Sequence, residues 1–71
     1  MPAWTREQDV ELLERYAQWQ PWKEIAAALA HTERACQGHL RQMRQGMLAW
    51  EWWDIEKRRL DWQEQRRGQR R

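Results

Sequence analysis

The stretch Trp22-Lys23-Glu24-Ile25-Ala26-Ala27-Ala28-Leu29 decides the reading of this 71-residue chain. Trp22, Ile25, Ala26 and Leu29 recur at helical spacing and give a short helix one apolar face. Pro21 suits the first position of that helix, because the N–H it lacks would be unpaired there anyway. The helix is predicted from Pro21 to Ala30, and its small residues Ala26, Ala27 and Ala28 let a neighbouring helix approach closely. Counting 18 residues outward from Trp22 reaches Trp4 on one side and Leu40 on the other. That spacing implies three helices of similar length, each giving one bulky side chain to a shared centre.

The flanking segments bear the pattern out at sequence level. Thr5-Arg6-Glu7-Gln8 fits a capping box, and a first helix is predicted from there to about Gln18. Asp9, Leu12, Leu13 and Tyr16 fall on one of its faces, while Glu7, Asp9 and Glu11 lie early, where the helix dipole favours acids. Thr32 is the expected N-cap of a third helix. Arg34, Gln37, Gly38 and Arg41 share one face of it; Ala35, Cys36, His39, Leu40 and Met43 share the other. The two or three residues between the second and third helices match the link of a helix-turn-helix. Gly38 inside a helix costs about 1 kcal/mol relative to Ala; it marks close approach of a partner backbone or is merely tolerated.

Gly46 is placed to end the third helix, and Met47 to about Arg67 reads as a fourth. Asp54–Arg58 and Glu56–Arg59 have the spacing of intrahelical ion pairs. Trp50, Trp53, Lys57 and Leu60 make one stripe; Leu48, Trp52, Ile55 and Trp62 make another. One stripe is expected to pack back and complete the core. The competing reading makes Trp50, Trp52, Trp53 and Trp62 a surface for a partner or a second copy, since large exposed apolar patches mark contact sites. The organisation is thus a three-helix unit over 4–45, an amphipathic helix over 47–67 and a basic tail over 68–71.

Composition narrows the function classes. The length allows one domain at most, and seven Trp with no Phe make large aromatic side chains the means of holding a small core. The lone Cys36 forms no internal disulfide, so a reducing compartment is expected. No apolar run approaches the roughly 20 residues that span a bilayer, and the start of the chain has no signal-peptide h-region. Neither membrane association nor a small-molecule substrate is expected. The net charge of +2 is uneven: acids dominate the first helix, whereas Arg34, Arg41 and Arg44 outweigh Glu33 in the third. Arg66, Arg67, Arg70 and Arg71 make the end basic, which suits a polyanionic partner. No nucleophile–base constellation or phosphate loop is present, so no catalysis is expected. His31, Cys36 and His39 fall short of the four ligands of structural zinc, so no metal or cofactor is expected.

These residues together resemble a Myb/SANT-type domain. Trp4-Thr5 followed by Glu7 and Asp9 resembles the opening Trp-Thr-x-Glu-Glu-Asp of that family, with Gln8 in place of an acid. Trp22 to Leu29 looks like its second helix, and His31-Thr32-Glu33-Arg34-Ala35-Cys36 like the start of its third, with His31 where Arg is usual. Leu40 stands where a third Trp is common, a swap seen in fungal Myb-like proteins. The resemblance covers Trp4 to Met43 and leaves the fourth helix without a counterpart. It implies an all-α fold, a three-helix Myb/homeodomain-like helix-turn-helix bundle with a C-terminal fourth helix.

The same resemblance implies a nuclear transcriptional or chromatin regulator whose third helix enters the major groove of double-stranded DNA. Its contact residues would be Arg34, Gln37, Gly38 and Arg41. Arg pairs bidentately with guanine and Gln with adenine, while Arg44 and Lys23 would touch phosphate. The third helix departs from the family in lacking the Asn residues that read adenine there, and Gly38 has no side chain to reach a base edge. The alternative within the same resemblance is a SANT-type module that binds a histone tail or co-regulator, or that dimerises through the Trp-rich helix.

Overall fold

The structure is a computed structural model describing residues 3–68. It contains four helices, α1 (Arg6–Ala17), α2 (Trp22–Leu29), α3 (Glu33–Gln45) and α4 (Ala49–Gly68), and the described residues include no strand. The expected tail lies outside the described residues, apart from Gly68, the last residue of α4. None of the described helices is long and apolar enough to cross a membrane.

Local chemistry sets the helix ends. Thr5 caps α1 in a reciprocal box: its hydroxyl accepts from the Gln8 amide at 3.1 Å, and Gln8 Oε1 accepts from the Thr5 amide at 3.1 Å. Gln8 also donates through Nε2 to the Leu29 carbonyl at 3.2 Å, tying the start of α1 to the end of α2. Pro21 sits one position earlier than the sequence suggested. It is the N-cap, in extended backbone, and its carbonyl accepts the first helical bonds from Glu24 and Ile25. The fourth helix starts at Ala49 instead of Met47, because Glu51 reaches back to accept from the Leu48 amide at 2.9 Å and fixes Leu48 as the residue before the helix.

Leu12, Ile25, Ala26, Leu29, Cys36 and Leu40 form the buried centre, and Trp4, Leu13, Tyr16, Trp22, Met43 and Trp52 pack around it. The expectation that Trp4 and Trp22 fill the middle is corrected in this respect: the largest fully buried side chains are Leu12, Ile25 and Cys36. An indole is too large to be swallowed by so small a bundle, so the tryptophans shield its rim. Trp4 lies flat between two imidazoles, with centroid distances of 4.0 Å to His31 and 4.1 Å to His39. His39 Nε2 is 2.6 Å from Asp9 Oδ1, which explains a carboxylate on the inward face of α1.

Helix α4 lies mainly along α1, with Ile55 buried and Trp52 half-buried. Trp52 and Ile55 of the expected stripe therefore pack back, but its other two members, Leu48 and Trp62, are exposed. The docking centres on Arg59. Its Nε donates to the Tyr16 carbonyl at 3.1 Å and one terminal nitrogen donates to the Tyr16 hydroxyl at 2.9 Å. Its guanidinium carbon is 3.6 Å from the Trp19 ring centre and 3.9 Å from that of Tyr16. The Trp19 indole N–H donates to the Arg59 carbonyl at 2.8 Å, so the two residues hold each other.

The clamp also explains an unusual backbone. Trp19 follows the end of α1 at φ 59°, a left-handed conformation that costs a non-glycine residue roughly 1–2 kcal/mol. Each cation–π contact contributes about 0.5–2 kcal/mol, and a hydrogen bond from a charged donor about 1.5–3 kcal/mol. The contacts outweigh the strain, and Trp occupies a place where glycine is usual.

The Tyr16 hydroxyl donates to Glu56 Oε1 at 2.9 Å. Burial, then this hydrogen bond, push the phenol above its ordinary value, although Arg59 pulls the other way. The folded chain keeps the proton to higher pH than the unfolded chain. The resulting contribution to stability is complete below about pH 10 and is lost as pH rises through the folded-state value. Tyr16 is the sole tyrosine, so its phenolate absorbance can be read alone. The expected outcome is a titration midpoint above that of the urea-unfolded chain, shifted down in Glu56→Gln.

Candidate nucleic-acid interface

The rotation of α3 follows from its cap and its buried pair. Thr32 accepts from the Ala35 amide at 3.0 Å and opens the helix. Cys36 and Leu40, one turn apart, point into the core, with Ala35, His39 and Met43 half-buried beside them. Arg34, Gln37, Gly38 and Arg41 are consequently all exposed, on the face that sequence periodicity assigned to them. His39 contributes to this setting, since it is held from α1 by Asp9 and by the Trp4 ring.

Gln37, Arg41 and Arg44 share a shallow groove of about 180 Å³ with Tyr16, Leu40 and Trp52. Arg34, nearer the start of α3, and Gly38, on the turn beside Gln37, do not line that groove. Lys23 is exposed in the first turn of α2, and neither the groove nor an ion pair among the described residues joins it to α3. Arg44 is exposed, but its guanidinium carbon stands 5.0 Å from the Trp52 ring centre. That position lets one cation rest on the indole and still meet solvent.

Trp52 is the correction among the expected partner-binding residues. It packs against the core, with Tyr16 5.7 Å away centroid to centroid and Arg44 over its ring, so it is not a free anchor. Trp50 and Trp53 do stand free, at 69% and 76% exposure. Trp62, at 37%, lines a groove with Trp19, Gln63, Arg66 and Arg67 on the other side of α4. The cause is the helical period. Positions 52, 55 and 59 turn toward α1, and positions 50, 53 and 57 turn away. The expected Asp54–Arg58 pair does not form among the described residues, whereas Arg59 and Glu56 lie 3.8 Å apart.

Burial pushes the Cys36 thiol above its ordinary value, and Glu33 adds to the shift, so this sulfur is held as an inert core atom. With Cys36 in the core and His39 on Asp9, these side chains are already committed, and the described residues contain no group of three or more His, Cys, Asp or Glu able to hold a metal. No protein-family model matches the chain, and no curated protein or solved structure matches it either.

Gly38 is open. A Cβ built on it would meet nothing within 4 Å, so the fold does not require glycine there. Gly38→Ala is expected to stabilise the free chain by about 1 kcal/mol, raising its melting temperature by about 4–8 °C. Thermal unfolding followed by circular dichroism checks this. A loss of stability would mean that Gly38 serves the fold and not an external partner.

Proposed function

We propose that this chain is a DNA-binding domain of a nuclear transcriptional or chromatin regulator, with α3 in the major groove. The α2–α3 pair, joined through Ala30, His31 and Thr32, is read as a Myb-like helix-turn-helix. The observation that carries this reading is the bare outer face of α3. Arg34, Gln37 and Arg41 project from it around Gly38, while α4 packs mainly on α1 and leaves it open. Arg34 and Arg41 suit guanine edges and Gln37 suits adenine. Arg44 and Lys23 would meet phosphate, which positions the helix without reading sequence. Gly38 would let the sugar–phosphate backbone or a base edge come close to α3.

Binding of random duplex DNA, followed by fluorescence anisotropy, should weaken steeply between low and moderate salt, because neutralised phosphates release counterions. Arg41→Glu should weaken it at least about tenfold, a change of roughly 1.4 kcal/mol, with helicity unchanged. Equal binding by parent and variant would remove α3 from the reading.

A second reading is favoured by a different observation. Trp50 and Trp53 are aromatic anchors of the kind that dominate protein interfaces. In that reading the chain is a SANT-type module that engages a histone tail or co-regulator. Absence of DNA binding at low salt would move the weight there.

A further inference from the structure

The outward stripe of α4 carries the two most exposed large apolar side chains among the described residues, Trp53 and Trp50. Trp50, Trp53 and Leu60 are exposed at 69%, 76% and 58%, and with Lys57 they repeat at alternating steps of three and four residues. That is the a/d spacing of a helix that pairs with another helix. The back of α4 is already committed through Ile55, Trp52 and Arg59, so the stripe does not belong to the fold of a single chain.

We propose that α4 pairs antiparallel with α4 of a second copy of this chain, about a two-fold axis at the level of Ile55. Charge on the helix selects this occupant and this direction. Glu51, Asp54 and Glu56 are the charged residues of its first part, and the run Lys57-Arg58-Arg59 opens its second. Glu56 and Arg59 are engaged with Tyr16; Glu51 and Asp54 still leave the first part acidic, and Lys57, Arg58, Arg66 and Arg67 outweigh Asp61 and Glu64 in the second. Parallel pairing would put like beside like. Antiparallel pairing about Ile55 sets Trp50 opposite Leu60 of the second copy and Trp53 opposite its Lys57. It also brings Asp54 beside Arg58 of that copy.

Each of these contacts occurs twice by symmetry, so one stripe supplies both halves of an isologous surface. Lys57, the one cation within the stripe, then lies against an indole face instead of opposing another cation. Asp54 and Arg58, which do not pair within one chain, each gain a partner between chains. The shallow groove lined by Arg44, Trp52, Trp53, Glu56, Lys57 and Leu60 opens beside the stripe and gives the opposing side chains a seat. The inference does not rest on DNA binding, since it is tested with the protein alone. Where both hold, one particle carries two α3 helices, and the linked second contact strengthens binding without a new residue.

Sedimentation of the full chain at several concentrations tests this. The mass should rise with concentration from the 8.9 kDa of one chain toward twice that value. Trp53→Lys, which would oppose Lys57 of the second copy, should hold the chain at the mass of a monomer with unchanged helicity. Asp54→Arg should weaken the dimer by about tenfold, because like charges then meet. The double change Asp54→Arg with Arg58→Asp restores opposite charges and should recover most of the loss. It reads orientation even if Trp53→Lys fails to fold. A parent that stays monomeric at every concentration overturns the proposal and leaves Trp50 and Trp53 to a different kind of partner. A dimer in which the double change recovers nothing overturns the antiparallel arrangement.

Discussion

Arg59 between Tyr16 and Trp19 is the contact on which the arrangement of this chain depends. A small three-helix unit has few large buried side chains; here the ones fully enclosed are Leu12, Ile25 and Cys36. Closing that unit with α4 requires a link across its open side, and Arg59 supplies one by three means at once. It stacks on two rings, donates to the Tyr16 carbonyl and hydroxyl, and accepts from the Trp19 indole through its own carbonyl. The Tyr16 carbonyl, in the last turn of α1, also accepts from the Trp19 amide at 3.1 Å, and a cation placed there answers the negative end of the helix dipole. Lysine could not reproduce this, since a compact ammonium offers neither a planar face nor a fork of donors.

The clamp divides labour among the helices. By holding α4 along α1, it leaves the outer face of α3 uncovered and turns Trp50 and Trp53 away from the core. The opposite side of the bundle has its own lock. His31, Trp4 and His39 stack ring on ring, and Asp9 holds the last of them, so α1 and Trp4 just before it together set the rotation of α3. In the proposed DNA complex, neither lock touches the nucleic acid. They determine which side chains of α3 are offered to it.

Much of this was legible because it is local. The capping box at Thr5 and Gln8 and the cap at Thr32 involve residues three apart, and the alternation of buried and exposed positions on α3 follows one helical period. The all-α class and the number of helices were legible for the same reason. What escaped depends on distance along the chain. Arg59 meets Tyr16 and Trp19 across 40 or more residues, and from sequence it offered only a pairing with Glu56. Asp9 shared a helix face with Leu12, Leu13 and Tyr16, and its partner there, His39, lies 30 residues on. The division of the α4 tryptophans was half-legible. Two stripes could be counted, but only the packing decides that Trp52 belongs to the core and Trp53 to the surface. A left-handed Trp19 had no signal at all, because glycine is the residue that announces such a conformation.

In the proposed complex the face of α3 bearing Arg34, Gln37, Gly38 and Arg41 is the contact surface, and α4 stays docked while it is used. The most direct test is an amide-resolved NMR titration of the full chain with a short DNA duplex. The largest shifts should fall on amides from Arg34 to Arg44, with Gly38 among the first to move, while those around Ile55 and Arg59 hold their positions. Shifts concentrated on Trp50, Trp53 and their neighbours, with α3 unmoved, would contradict this arrangement.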